Sequence, residues 1–298
     1  MTDTPAPTPA ALAADLVDLL DVEEIDTDLY RGRRSRGGVG RVFGGQVIAQ
    51  ALQAAQRSTD DAGKIAHSLH AYFMRAGSED HPIIYRVVRD FEGKSFATRR
   101  VIAMQRGQPI LNMAASFQVP EDGYHHQDAM PDVPPPEELQ SEAELRAAES
   151  AHVEERFRRQ LTRPRPIEIR PVFPRKWLNP TPAEPIQHSW FRVVAPIGDD
   201  PAIHRAVVAY ASAMALLGTC MLPQGVNWTT PGFQSASLDH ALWLHEPIRA
   251  DQWMLYATDS PWAGHARGMN RGKIFSAEGR LVASVAQEGL IRMRQPRG

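Results

Sequence analysis

Arg41-Val42-Phe43-Gly44-Gly45-Gln46, followed by the apolar run from Val47 to Ala55, decides how this chain folds. Two glycines permit a tight turn. Val47, Ile48, Ala51, Leu52 and Ala55 then recur at helical spacing with little charge between them, which predicts a largely buried helix. Three candidate strands follow, Ser68 to Met74, Ile83 to Asp90 and Phe96 to Met104. Gly107-Gln108 reads as a hairpin turn into a fourth, Ile110 to Gln118. The pattern is a buried helix wrapped by a curved antiparallel meander.

The same plan recurs downstream. An apolar helix is predicted between Pro201 and Leu217. Strands are predicted over Gln234 to Leu244, Trp253 to Ser260, Ala266 to Ile274 and, after a turn at Glu278-Gly279, Leu281 to Arg292. Ser68 to Phe73 answers Ser237 to Trp243, and Gly107 to Leu111 answers Gly279 to Val282. A repeat at about 170 residues with one order of elements points to two copies of a single unit.

Composition fits that plan. The chain has 298 residues, 43% hydrophobic and 23% charged, with a formal net charge of −2, enough for two cores. Near-neutral charge without a basic stripe argues against nucleic acid as a partner. No run approaches the ~20 apolar residues of a membrane span. The single cysteine, Cys220, allows no intrachain disulfide, fits a reducing compartment, and reads as a buried structural thiol. The first residues lack the charged and apolar regions of a signal peptide. Thr8-Pro9 is an N-cap and first helical position for a short helix carrying Leu12, Leu16, Leu19 and Leu20. A single strand is expected over Glu23 to Tyr30. Pro120 to Pro136 marks a linker, and Glu137 to Leu161, rich in Glu, Ala and Arg, is expected to be helical. The expected organisation is residues 1–20 as tail and short helix, 21–120 as the first unit, 121–164 as linker and 165–298 as the second unit. His125-His126 has no partner at ligand spacing, so no metal site is expected.

Several ordered motifs carry a resemblance. Val42 to Val47, His67 to Phe73, Pro82 to Tyr85 and Ser95 to Arg100 resemble the first half of type II acyl-CoA thioesterases, the TesB family. Ser237 to His240, Ala266 to Gly268, Leu281 to Ser284 and Gln287 to Gly289 resemble its second half. The resemblance runs from roughly Glu23 to Arg294. It implies an α+β double hot-dog fold, two units joined edge to edge so that strand edges are removed. It also implies assembly into a homo-oligomer and hydrolysis of fatty acyl-CoA to free fatty acid and coenzyme A. No cofactor is implied, since coenzyme A belongs to the substrate. The last four residues lack a peroxisomal address, so a cytoplasmic location is expected.

Ser237 and Gln287 sit among small apolar neighbours, where a buried amide must find a partner. Each reads either as a structural hydrogen-bonding group or as part of a water-holding pair. The resemblance assigns the second role: Gln287 matches the family glutamine, and Ser237 keeps a hydroxyl at the family threonine position. The family aspartate position falls at Ala213, and alanine can neither accept a proton nor orient water. Weakened activity or a substitute base is therefore expected, Asp239 and His70 being the candidates. By strict alternation Ser237 and Asp239 share one face and Leu238 and His240 the other, with Asp239-His240 a fixed pair. Gly44, Gly45 and Gln46 at a helix N-terminus are candidate oxyanion donors, or the glycines serve close helix–sheet packing. His70 is a further candidate for the substrate site. Arg31, Arg33, Arg34 and Arg36 read as a solvated loop or as a clamp on coenzyme A phosphates. Leu216, Leu217, Trp243, Trp253 and Trp262 are candidates for an acyl tunnel. A non-catalytic acyl-CoA-binding protein is the alternative reading, marked by Ala213.

Overall fold

The computed structural model describes residues 6–34, 40–59 and 63–294. Residues 1–5, Arg36 and residues 295–298, on which some of these expectations fall, lie outside them.

Thr8 caps α1 (Pro9–Leu20), its hydroxyl oxygen accepting the Ala11 N–H at 3.2 Å. Leu16 and Leu20 point inward and are fully buried. The strand expected over Glu23 to Tyr30 is instead a hairpin, β1 (Val22–Asp26) and β2 (Leu29–Gly32). Asp28 turns the chain at φ 56°, a conformation short polar side chains tolerate. Next come α2 (Gly44–Arg57), β3 (Ile65–Phe73), β4 (Ile83–Glu92), β5 (Phe96–Gln105) and β6 (Gln108–Gln118). The predicted helix and four strands are in place, but only β4, β5 and β6 run as a meander: β3 crosses over to pair with β6 rather than with β4.

The linker is less regular than its composition suggests. One helix was expected over Glu137 to Leu161; the chain forms α3 (Glu142–Glu149) and α4 (Glu155–Thr162). Ser141 and Glu144 start α3 with a reciprocal capping box. Ser150 ends it, its hydroxyl bonding back to the Ala147 carbonyl at 3.3 Å in competition with the helix ladder. The linker lies on the second unit: Trp190 Nε1 donates to the Pro134 carbonyl at 2.9 Å, and Gln127 Nε2 to the Gly279 carbonyl at 2.7 Å.

The second unit comprises β7 (Ile167–Pro171), β8 (Ile186–Val193), α5 (Pro201–Ala215), a 3-10 stretch (Leu216–Gln224), β9 (Phe233–Ser237), β10 (Asp239–Leu244), β11 (Met254–Gly264), β12 (Arg267–Ser276) and β13 (Leu281–Met293). The strand expected over Gln234 to Leu244 is broken at Leu238. There the chain changes partners: the Leu238 N–H goes to the Glu288 carbonyl, while the Leu238 carbonyl takes the Phe73 N–H. Strict alternation therefore fails across Ser237 to His240, with consequences for the site.

All the strands form one sheet, ordered β1-β2-β4-β5-β6-β3-β10-β13-β12-β11-β8-β7, with β9 against β13. The two units join through antiparallel β3 and β10, Ala71 opposite His240 and Leu69 opposite Leu242. Outward from that joint, equivalent strands appear in the same order on both sides. This is the double hot-dog arrangement. Both long helices lie on the sheet's inner face and pack on each other. Pro201 to Gln224 is, contrary to the sequence reading, long and apolar enough to span a bilayer, with a mean hydropathy of 1.7, but most of it is buried against the sheet and α2. Such burial is what a core helix of this fold requires.

Candidate functional site

Four side chains from α5, β9, β10 and β13 form one hydrogen-bonded chain on the inner face of the second unit. Ser212 Oγ lies 2.9 Å from His240 Nε2. His240 Nδ1 lies 2.7 Å from Gln287 Oε1. Gln287 Nε2 donates to Ser237 Oγ at 2.9 Å. A carbonyl oxygen can only accept, so the proton on the neutral His240 ring sits on Nδ1 and the bare Nε2 accepts from the Ser212 hydroxyl, whose one proton is shared with the Ala209 carbonyl at 3.1 Å. Tyr256 Oη donates to the Ser212 carbonyl at 2.9 Å and fixes that turn of α5. Ser212 and His240 are fully buried and Gln287 is 1% exposed; Ser237, at the end of the chain, is only partly covered. Burial lowers the His240 pKa to about 4, against a smaller opposing effect of the Gln287 hydrogen bond. The ring is neutral at physiological pH. One Gln287 N–H is held on Ser237, and its amide plane is fixed from behind by the imidazole.

The other half of the site comes from the first unit. α2 starts at Gly44 with no side-chain cap. Gln46 N–H and Val47 N–H both turn back to the Phe43 carbonyl, while the N–H groups of Gly44 and Gly45 find no acceptor among the described residues. Phe43 packs edge-on against Tyr210 of α5, centroids 5.0 Å apart. A Cβ on Gly45 would sit 2.5 Å from the Tyr210 carbonyl, so glycine is what lets the start of α2 meet α5. The close packing found at Gly45 is of helix on helix rather than helix on sheet, and it leaves two unpaired donors at the positive end of α2. The packing also means that a bulky residue at 45 must displace the backbone of α5.

Other candidates are placed elsewhere. Gln46 Nε2 is committed to the Arg33 carbonyl at 3.1 Å, beside Gln50, and anchors the β2 exit rather than facing a carbonyl substrate. His70 is exposed on the outer face, edge-on to Trp243 at 5.1 Å, while its neighbours Leu69 and Ala71 face the core. Alternation along β3 thus turns it away from the His240 cluster. Asp239 neither shares a face with Ser237 nor pairs with His240. The break at Leu238 turns its carboxylate onto the Glu288 N–H at 2.6 Å. Desolvation raises its pKa, opposed by that hydrogen bond. Ala213 follows Ser212 on α5 and is partly exposed. The tunnel candidates do not form one wall. Leu216 and Leu217 are core, Trp243 is with His70 on the outer face, Trp253 lies under the Arg192 guanidinium at 4.3 Å, and Trp262 is 42% exposed. Cys220 is buried, its Sγ bonded to the Leu217 carbonyl, and burial raises its pKa. Of the basic cluster, Arg31 pairs with Glu23, Arg33 with Asp18, and Arg34 donates to the Asp80 carbonyl. These three arginines and Tyr210 border a depression of about 1270 Å³.

Sequence reasoning missed His240 and Ser212 as members of the cluster. The available signal was the buried amide at 287, whose two polar ends need two partners.

Comparison with known proteins agrees with this architecture. Residues 158–290 match the acyl-CoA thioesterase family, and residues 32–118 match the acyl-CoA thioesterase N-terminal domain. The chain is 42% identical to acyl-coenzyme A thioesterase 8 of Homo sapiens, over 93% of this chain and 88% of that one. It is 36% identical to acyl-CoA thioesterase 2 of Haemophilus influenzae, over 94% and 98%. Its fold superposes on the crystal structure of an acyl-CoA thioesterase II, TesB2, from Mycobacterium marinum with a TM-score of 0.77 and 38% identity, covering 95% and 99% of the two chains. Identities of this size over nearly the whole chain leave no other assignment: the protein belongs to the acyl-CoA thioesterase family.

Proposed function

We propose that this protein hydrolyses fatty acyl-CoA with a water held between Ser237 and Gln287. The observation that carries the reading is the buried chain Ser212–His240–Gln287–Ser237, which fixes an amide N–H and a part-exposed hydroxyl at one point. The second Gln287 N–H and the Ser237 hydroxyl are the groups available to a water there. The thioester carbonyl would lie against the Gly44 and Gly45 N–H groups, where the dipole of α2 favours the developing oxyanion. Attack forms the carbon–oxygen bond, collapse breaks the carbon–sulfur bond, and the thiolate of coenzyme A leaves and is protonated by solvent. The depression beside Tyr210, with its arginines, is where the phosphates of coenzyme A would be met.

No described carboxylate bonds to Ser237 or Gln287, and position 213 is alanine. The water's proton then passes to solvent, and turnover falls short of a based enzyme by ~10²–10⁴-fold. Thiol release from an acyl-CoA series, with Ala213→Asp beside the parent protein, tests this. Slow turnover by the parent and a gain of about that size in Ala213→Asp are expected. Fast parent turnover unaffected by Ala213→Asp would refute the missing-base account. Ala213 also favours a second reading, an acyl-CoA-binding protein without turnover. Tight binding with no thiol release from any chain length would establish that one.

A further inference from the structure

A second cavity, of about 1040 Å³, lies between the linker and the inner face of β7 and β8. α5 and the 3-10 stretch close one side with Met214, Gly218 and Met221. Trp177 and Trp228, stacked with centroids 6.3 Å apart, form another wall. That wall is firmly built. The Trp177 and Leu178 N–H groups donate to the Glu149 carboxylate at 2.7 Å each. The Trp177 carbonyl accepts from Asn227 Nδ2 at 2.6 Å and Thr229 Oγ1 at 2.9 Å. Gly218 leaves room for the indole, since a Cβ there would stand 3.1 Å from Trp228.

Two polar atoms around this apolar space find no partner among the described residues. Arg146 Nε and Ser189 Oγ are buried without a partner, and each residue is only 7% exposed. Arg146 lies over the Trp177 ring at 4.2 Å, its Nη2 paired with Glu142. Arg175 donates only to the Gln187 side-chain oxygen and the Ile186 carbonyl. No described carboxylate pairs with it, and desolvation lowers its pKa to about 10. A desolvated guanidinium and two orphaned donors in one cavity call for an anion. The largely apolar lining excludes a polyanion and favours a long chain.

The cavity is separate from the water site. It reaches α5 at Met214 and Ala215, and none of Ser212, Ser237, His240 and Gln287 lines it. We propose that it binds a free long-chain monocarboxylate, the chain between the tryptophans and Met214 and the carboxylate drawn to Arg146, Ser189 and Arg175. This is the chemical class of the product of the proposed hydrolysis, so occupancy would report product level at a second site. The binding argument itself needs no turnover.

Calorimetric titration of the full chain with dodecanoate tests it, with Arg146→Met and Ser189→Ala as variants. Arg146→Met keeps a stem on Trp177, and Ser189→Ala removes a hydroxyl that bonds nothing, so both should fold, as thermal melts will check. One saturable site is expected, weakened about tenfold by Arg146→Met and less by Ser189→Ala, with dodecanol also about tenfold weaker than the acid. Turnover of acetyl-CoA, if present, should be unchanged in both variants. Absence of dodecanoate binding, or binding indifferent to both variants, would overturn the proposal. So would variants that raise KM for dodecanoyl-CoA but not for acetyl-CoA, since the cavity would then hold the substrate's own chain.

Discussion

The two units share a strand plan but differ where their joint meets the core. In the second unit His240 stands opposite Gln287, one step along the β10–β13 register from Ala241 opposite Ala286. In the first unit Leu69 takes the corresponding place on β3, opposite Ala115 on β6. Leu69 is fully buried and Ala115 is 1% exposed, so this side of the joint is plain core. The helices differ in the opposite sense. α5 begins with Pro201 behind an Asp200 cap, whereas α2 begins on two glycines with open N–H groups. The first unit offers open N–H donors where the second is capped, and the second offers a polar chain where the first is apolar. Under the function proposed above, this contrast makes one reaction centre across the joint rather than two equivalent ones.

The most damaging way to test this contrast is to write the first unit's residue into the second. Gln287→Ala copies Ala115. It should lower the rate of thiol release by ~10²–10³-fold, the usual loss on removing one positioned donor. It should also orphan His240 Nδ1, at about 1–3 kcal/mol of stability. His240→Leu alone orphans Gln287 Oε1 in the same way, while the Ser212 hydroxyl keeps the Ala209 carbonyl at 3.1 Å. The double variant rebuilds the Leu69–Ala115 pair, so it should be more stable than the sum of the single losses predicts, by about 1–3 kcal/mol. Denaturant unfolding of the four proteins measures the coupling. Strict additivity would mean that the second unit's chain is not a unit and that the contrast is only one of sequence.

Much of this architecture was legible beforehand for a physical reason. Buried helices and two-faced strands leave periodic apolar patterns, and both units show them. What was not legible depends on single residues where local chemistry overrides the period. Leu238 divides its hydrogen bonds between Glu288 and Phe73, which puts Ser237 and His240 at the same amide and sends Asp239 to a backbone N–H. Asp28 turns one expected strand into two, and Ser150 cuts one expected helix. Gln287 was readable as a candidate because a buried amide demands partners. Its partner across the strand was not, because alternation assigned His240 to the other face.

A titration of stability sharpens the same comparison, since Leu69 cannot take a proton and His240 can. The folded His240 pKa is about 4, below the ordinary value of 6.5. The unfolded chain therefore takes up the proton first as pH falls. The stabilisation is complete above about pH 6.5 and is lost down to about pH 4, amounting to about 3 kcal/mol. His67 and His245 are shifted in the same direction by burial and add a background common to all variants. Chemical unfolding of the parent and His240→Leu between pH 4 and 7 isolates the term. The parent should lose stability faster than the variant across that window. Parallel curves would mean that the ring is not held neutral in the core.

The smallest effects are expected at the helix starts, and there the two units should respond in opposite ways. Asp200 Oδ1 accepts the Ala202 N–H at 2.9 Å, so Asp200→Ala should cost about 1 kcal/mol and lower Tm with no change in turnover. Phe43→Asp offers α2 the cap it lacks. The gain, of similar size, is offset by the lost edge contact with Tyr210, so Tm should move little. Turnover should nonetheless fall, because a carboxylate over the Gly45 N–H occupies the donor and repels the oxyanion that it would stabilise. A cap that costs activity at one helix, and a cap whose loss costs only stability at the other, is what a site shared across the joint requires. If Phe43→Asp leaves turnover unchanged, the open start of α2 serves packing alone, and the donors for the carbonyl must be sought in the second unit.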